Sequence, residues 1–318
     1  MLKRIATTLS GATLVLAGSP VYCQDFPTRP LRIVTDAAAS GNDFAARLMA
    51  NGLTASLGQR VIVENRPSGV IPRETVAKAA PDGYTMLLAA SAMWIGPLLQ
   101  KTPYDPIGDF SPISLTSRTP NILVVHPSLP VKSVKDLIAL AKARPGELNY
   151  SSGSLGSTQH LAAELFKSMT GANIVRISYS SASARMTSLI SGEVQLEFAT
   201  GGSVAQYIKM GKLRALAVTS AQRSPLMPAV PTIAASGVPG YDSAGMTGMF
   251  APARTPDAII TRLSREIARV VHQPDVKQKL AASGVEAVGS SPEELAAKMK
   301  SEMARWSRIF KAAGIHGE

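Results

Sequence analysis

A single cysteine, Cys23, in 318 residues means that no intramolecular disulfide can staple this chain. Charge is sparse too, at 17% of residues, yet mean hydropathy is +0.11. So apolar a chain is globular and not disordered. Its 33 Lys and Arg outnumber 22 Asp and Glu, for a formal net charge of +11, but they form no basic run. Nucleic acid demands clustered cations, so none is expected as a partner. The excess fits a cationic soluble protein whose field attracts anionic solutes. The four histidines, His126, His160, His272 and His316, lack metal-ligand spacing. Neither a phosphate-binding loop nor a dinucleotide fingerprint is present. Ser157 and His160 stand three apart on one predicted helix, but no third partner for a triad is marked. Neither catalysis nor a cofactor is expected. Repeats and low-complexity linkers are also missing, and at this length two lobes with separate cores are possible.

Long apolar runs are missing except at the start. Lys3-Arg4 precede an apolar stretch at 5–18, too short to span a bilayer. This reads as a signal peptide, residues 1–23, and implies a periplasmic destination. Cleavage after Cys23 is expected, with a cut after Gly18 as the alternative. Lipidation of Cys23 is the other alternative, disfavoured by bulky Tyr22 before it.

The rest alternates short apolar runs with amphipathic stretches. Strands are predicted at 31–35, 61–64, 85–90, 122–126, 174–178, 194–198, 213–219 and 246–251. Helices are predicted at 42–57, 73–80, 133–143, 158–170, 182–191, 203–210, 256–271 and 292–312. Ser133 and Asp136 supply an N-cap and an early acid to the third. Such alternation means α/β, with sheets covered by helices on both faces.

Particular stretches say more. VAKAAPDGYT (76–85) compresses a helix end, a Pro-Asp-Gly turn and a strand start into ten residues. GKLRALAVTSAQRSP (211–225) is a turn, a buried strand and an exposed basic loop. Others are VIVENRP (61–67), PYDPIGDFSPISL (103–115), VVHPSLPVKSVKDLIALAKARPGELNY (124–150) and GVPGY (237–241). From residue 26 onward, in this order, they resemble the TctC-like or Bug family, the periplasmic solute-binding proteins of tripartite tricarboxylate transporters. The resemblance implies a two-lobe, Venus flytrap fold of type II-like layout with mixed sheets. Lobe I would take 24–121 and return through the C-terminal helices, 237–318. Lobe II would take 122–236. It also implies a small carboxylate ligand, membrane transporter subunits as partners and a monomeric receptor.

In open α/β sheets ligands sit beyond the carboxyl ends of strands, at helix N-termini. Three loops then stand out. The first, 36–43, keeps Gly41 and Asp43 where the resembled family has a Pro- and Gly-rich loop. Ser40, Gly41 and Asn42 either donate backbone N–H groups to a carboxylate or cap the helix, and the two roles are compatible. The second, 151–158, is Gly/Ser/Thr-rich, with Ser154, Gly156, Ser157 and Thr158 as ligand residues. The third runs from Tyr179, kept as a ligand residue, to Arg185, which replaces the family's small residue as a carboxylate grip or a solvated surface side chain. Thr200 stands where the family often has Asp-Asn. Asp36 replaces a proline and would repel a dicarboxylate unless it pairs with a cation or a ligand amine; it either faces the ligand's far end or points to solvent. The first arrangement favours a ligand with one carboxylate and an amine or other donor over citrate.

The expected function is capture of a small organic carboxylate in an interlobe cleft for delivery to a transporter. An extracytoplasmic receptor signalling through protein contacts, with an amino acid or aromatic acid as ligand, is the alternative. The effector domain of a transcription regulator shares the fold, but the signal peptide and the lack of a helix-turn-helix before Leu31 oppose it.

Overall fold

The computed structural model describes residues 26–314 apart from residues 39, 67, 68, 154, 155 and 180. The N-terminal segment with Cys23, and Ser154 among the expected ligand residues, lie outside the described residues. The chain runs β1 (Leu31–Thr35), α1 (Gly41–Leu57), β2 (Val61–Asn65), α2 (Val70–Ala77), β3 (Thr85–Ala90) and the short α3 (Ala92–Ile95). Then come β4 (Phe110–Val125), α4 (Val134–Ala143), β5 (Leu148–Ser152), α5 (Thr158–Thr170), β6 (Ile174–Ser178) and α6 (Ala182–Ser191). It closes with β7 (Leu196–Thr200), α7 (Gly201–Lys209), β8 (Arg214–Val218), β9 (Ala244–Pro252), α8 (Asp257–Val271), α9 (Pro274–Ala282), β10 (Glu286–Ala287) and α10 (Pro292–Ala313).

The fold is two-lobed α/β with mixed sheets. In the first half β1 lies between β2 and β3, all parallel, and β9 joins β3 antiparallel. In the second half β5 runs parallel to β6 and β7, while β7 and β8 flank β4 antiparallel. One strand serves both. Residues 110–120 of β4 pair with β9, and residues 121–125 pair with β7 and β8.

The strand predicted at 122–126 covers only the end of β4, whose earlier part carries Pro112 and Pro120, residues unfavourable in a central strand. Both prolines are accommodated. The pairing register shifts just after Pro112, and Pro120 stands where the strand leaves one half for the other. Helix α9 was also missed, although Pro274 at its first turn is a start signal.

Three apolar clusters form the core. One lies between the first sheet, α1 and α8, with Ile33, Leu53, Met86, Leu263 and Ile267 fully buried. Apolar positions 260, 263, 267, 270 and 271 of α8 fall on one helical stripe, which fixes the face it buries. Gly52 lets α1 approach, since a Cβ there would stand 2.3 Å from Val270 Cγ1. A second cluster runs on through both halves, joining Trp94 and Phe250 to Phe166, Phe198 and Trp306. Helix α10 therefore packs on α5 as well as on α3 and β4. The third cluster, with Ile122, Leu189, Val204 and Val218, covers the outer face of the second sheet. Each such fully buried side chain contributes roughly 1.5–3 kcal/mol through removal from water.

Candidate functional site: a cleft between two helix N-termini

The loop after β1 is tied down before any ligand arrives. Ser40 is the N-cap of α1, its hydroxyl accepting from Asp43 N at 3.1 Å. Asn42 Nδ2 donates to Asp36 Oδ2 at 2.7 Å. Asp43 is buried and accepts from Asn65 Nδ2 at 2.8 Å and from Arg47 Nε at 3.0 Å. Asn65 also donates to the Asp36 carbonyl, so the end of β2 holds the loop from behind. Sequence reasoning noticed Asn65 only as part of a motif.

Asp36 corrects an expectation. It neither faces a ligand amine nor points to solvent, because Arg73 of α2 holds its Oδ1 at 2.5 Å with both side chains largely buried. Arg73 Nη1 also donates to the Gly69 carbonyl, closing α2 onto the loop. The cation that neutralises this acid comes from the protein.

In the second half the loop after β5 leads into α5. Ser157 is its N-cap, with Oγ 3.4 Å from His160 N. Gly156 takes φ +76°, a conformation open to glycine, and its N–H donates to His160 Nδ1 at 3.1 Å. That amide is thus committed within the protein. Burial, helped by the nearby Arg176 charge, pushes the His160 imidazole down to about 4 and keeps it neutral. Arg176 grips the same loop from β6, through Ser152 Oγ and the Gly153 carbonyl, each at 2.7 Å.

The remaining candidates sit differently. Arg185 is not a solvated surface side chain: its Nε pairs with buried Glu197 at 3.2 Å. Burial raises the Glu197 carboxyl above its usual range, against the lowering by Ser151 and Arg185. Tyr179 donates its N–H to Ser152 O at 3.0 Å, and its ring packs on the outer-face cluster. Thr200 occupies the N-cap position of α7 and donates to Ser203 Oγ at 3.1 Å.

Gly41, Asn42 and Thr158 come together. They line a cavity of about 250 Å³, with Ser91, Ser117, Thr119 and Thr247 as further polar walls and Phe44, Met246 and Leu280 as apolar ones. It lies against β4 and β9, where the strands pass from one half to the other. Gly245 of β9 makes room, since a Cβ there would stand 3.0 Å from Thr158 Cγ2. No charged side chain is among the residues lining this cavity. Its electrostatics come from the N-terminal ends of α1 and α5, whose dipoles favour an anion. Among the described residues no cluster of metal-ligating side chains occurs, and no helix is long and apolar enough to cross a membrane.

Known proteins share this framework. Protein BugT of Bordetella pertussis is 36% identical over 312 residues, 96% of each chain. A solved structure described as R. palustris Rpa4515 with adipate is 37% identical, with a TM-score of 0.75 over 92% of this chain and 100% of that one. The periplasmic binding protein BugD is 30% identical, with a TM-score of 0.71 over 92% of this chain and 100% of that one. The model of the tripartite tricarboxylate transporter family receptor, TctC, matches residues 45–315. With that family match over most of its length, the chain belongs to the TctC receptor family.

Proposed function

We propose that this protein is a periplasmic receptor that captures a small organic carboxylate between its lobes and delivers it to a tripartite tricarboxylate-type transporter in the membrane. The observation that carries the reading is the convergence of the α1 and α5 N-termini on one cavity walled by hydroxyls and apolar side chains. Backbone N–H groups and hydroxyls can replace water around a carboxylate there, while Phe44 and Met246 cover a hydrocarbon segment. The adipate bound to the R. palustris relative, an aliphatic chain between two carboxylates, suits such a lining. Lobe I then comprises 24–121 and 237–318, lobe II 122–236, and closure is a rotation about β4 and β9. Export removes residues 1–23, and the receptor works as a monomer.

Titration calorimetry and thermal shift against a carboxylate panel that includes adipate, citrate and amino acids test this reading. A one-to-one complex with a carboxylate, accompanied by contraction in solution scattering, is the expected result. Failure of every carboxylate to bind or to raise the melting temperature would remove it.

A further inference from the structure

Two arginines meet at one glycine. Arg176 Nη2 donates to the Gly153 carbonyl at 2.7 Å. From the other side Arg185 Nη1 lies 3.5 Å from where a Gly153 Cβ would stand, and Ser157 Oγ lies 3.7 Å from the same point. The Arg185 guanidinium therefore lies against Gly153, beside the N-cap of α5. Arg185 is itself at the start of α6. The positive ends of two helices, of 13 and 10 residues, and two guanidinium groups therefore share one corner of the second lobe.

Cations are unfavourable at helix N-termini, where anions are stabilised. Among the described residues Glu197 is the one acid within ion-pair distance of either arginine. It is buried, and its second oxygen accepts from Ser151 Oγ at 2.9 Å. Glu197 meets Arg185 through Nε alone. The two Nη groups, which form the fork that binds carboxylates bidentately, have no acceptor among the described residues.

We propose that Arg185, oriented by Glu197, grips a ligand carboxylate beside the α5 N-terminus, just beyond the residues that line the 250 Å³ cavity. Glu197 is a positioning residue that supplies an internal counter-charge until the ligand arrives. The inference rests on the carboxylate reading of the cleft and adds the residue that selects for charge. A ligand carboxylate would meet a guanidinium fork and the α5 N-terminus together, whereas a neutral amide of the same shape would not gain the ionic part.

Calorimetry with adipate, and with its neutral diamide adipamide as control, is the test. Removing Arg185 alone leaves Glu197 buried and unpaired, so the informative variant is Arg185→Met combined with Glu197→Gln. It should fold, as judged by circular dichroism, and lose adipate affinity by roughly tenfold or more. Arg185→Lys keeps the charge but not the fork and should fall in between. Glu197→Gln alone keeps an acceptor for Nε and frees the guanidinium charge. Adipate should then bind more tightly, with a steeper dependence on salt, which a merely structural glutamate would not produce. Unchanged adipate affinity in the double variant, or weaker binding in Glu197→Gln, overturns the inference while leaving the receptor function standing. A wild-type protein that binds no carboxylate overturns both.

Discussion

Asp36 and Arg73 form an ion pair, 2.5 Å from Oδ1 to Nη1, at the point where the first cleft loop meets α2. Both side chains are largely out of water, so neither charge has solvent to fall back on. Removing one partner leaves the other buried and uncompensated. Asp36→Ala should therefore lower stability by about 3–5 kcal/mol. A chemical denaturation midpoint close to wild type would contradict the burial argument. Ligand preference should not switch between carboxylate and amine, because Asp36 is not free to pair with an amine.

Gly156 packs closely against Leu99. A Cβ on Gly156 would stand 3.1 Å from Leu99 Cδ1, and φ is +76°. The place of Gly156 in a predicted ligand loop points to an effect of substitution on binding alone. The conformation argues otherwise. Gly156→Leu should cost roughly 1–2 kcal/mol from backbone strain, before any effect on binding. Thermal unfolding of the free variant checks this, and an unchanged melting temperature would count against it.

His160 links stability to acid. Its folded-state imidazole is pushed down to about 4, so it stays neutral while the unfolded chain takes up a proton near pH 6.5. The unfolded state binds more protons in that window, so stability rises with pH there and is lost as pH falls from about 6.5 to 4. The full contribution is about 3 kcal/mol. His160→Gln keeps an acceptor for the Gly156 N–H and removes the titration. Denaturation at pH 7 and pH 4.5 should show a smaller difference in the variant than in the wild type. Equal differences would rule out His160 as the source. Glu197 works with the opposite sign, since its raised carboxyl favours the folded state as pH falls. Comparing variant with wild type separates the two.

Gly245 controls the cavity from the crossing strand. A Cβ there would stand 3.0 Å from Thr158 Cγ2 and 3.5 Å from the Thr119 carbonyl. Gly245→Val should push the start of α5 away from the α1 N-terminus and weaken carboxylate binding about tenfold, near 1.4 kcal/mol. Calorimetry with adipate checks it, and full affinity would show that the two helix ends need not converge so closely.

Local patterns carried much of this protein. The strand at 31–35, the helix at 158–170 and the caps Ser40 and Ser133 follow from alternation, helical spacing and side-chain hydroxyls, which act over a few residues. The motifs also pointed to the family, and the rule that ligands sit at helix N-termini picked out the loops that supply Gly41, Asn42 and Thr158. Other features depended on partners far away in sequence. Arg73 neutralises Asp36 from 37 positions on, and Glu197 meets Arg185 from the next strand. Glu197 left a trace, an acid inside an apolar strand, but nothing local says which cation it faces. The two prolines in β4 are unfavourable in a strand that the pairing with β9, β7 and β8 nevertheless requires. Propensity and periodicity are properties of a segment, so the chain itself determined its elements, its caps and its family. Ion pairs, close approaches at glycine and the meeting of two helix ends depend on distances between segments, and only the packed fold decides those.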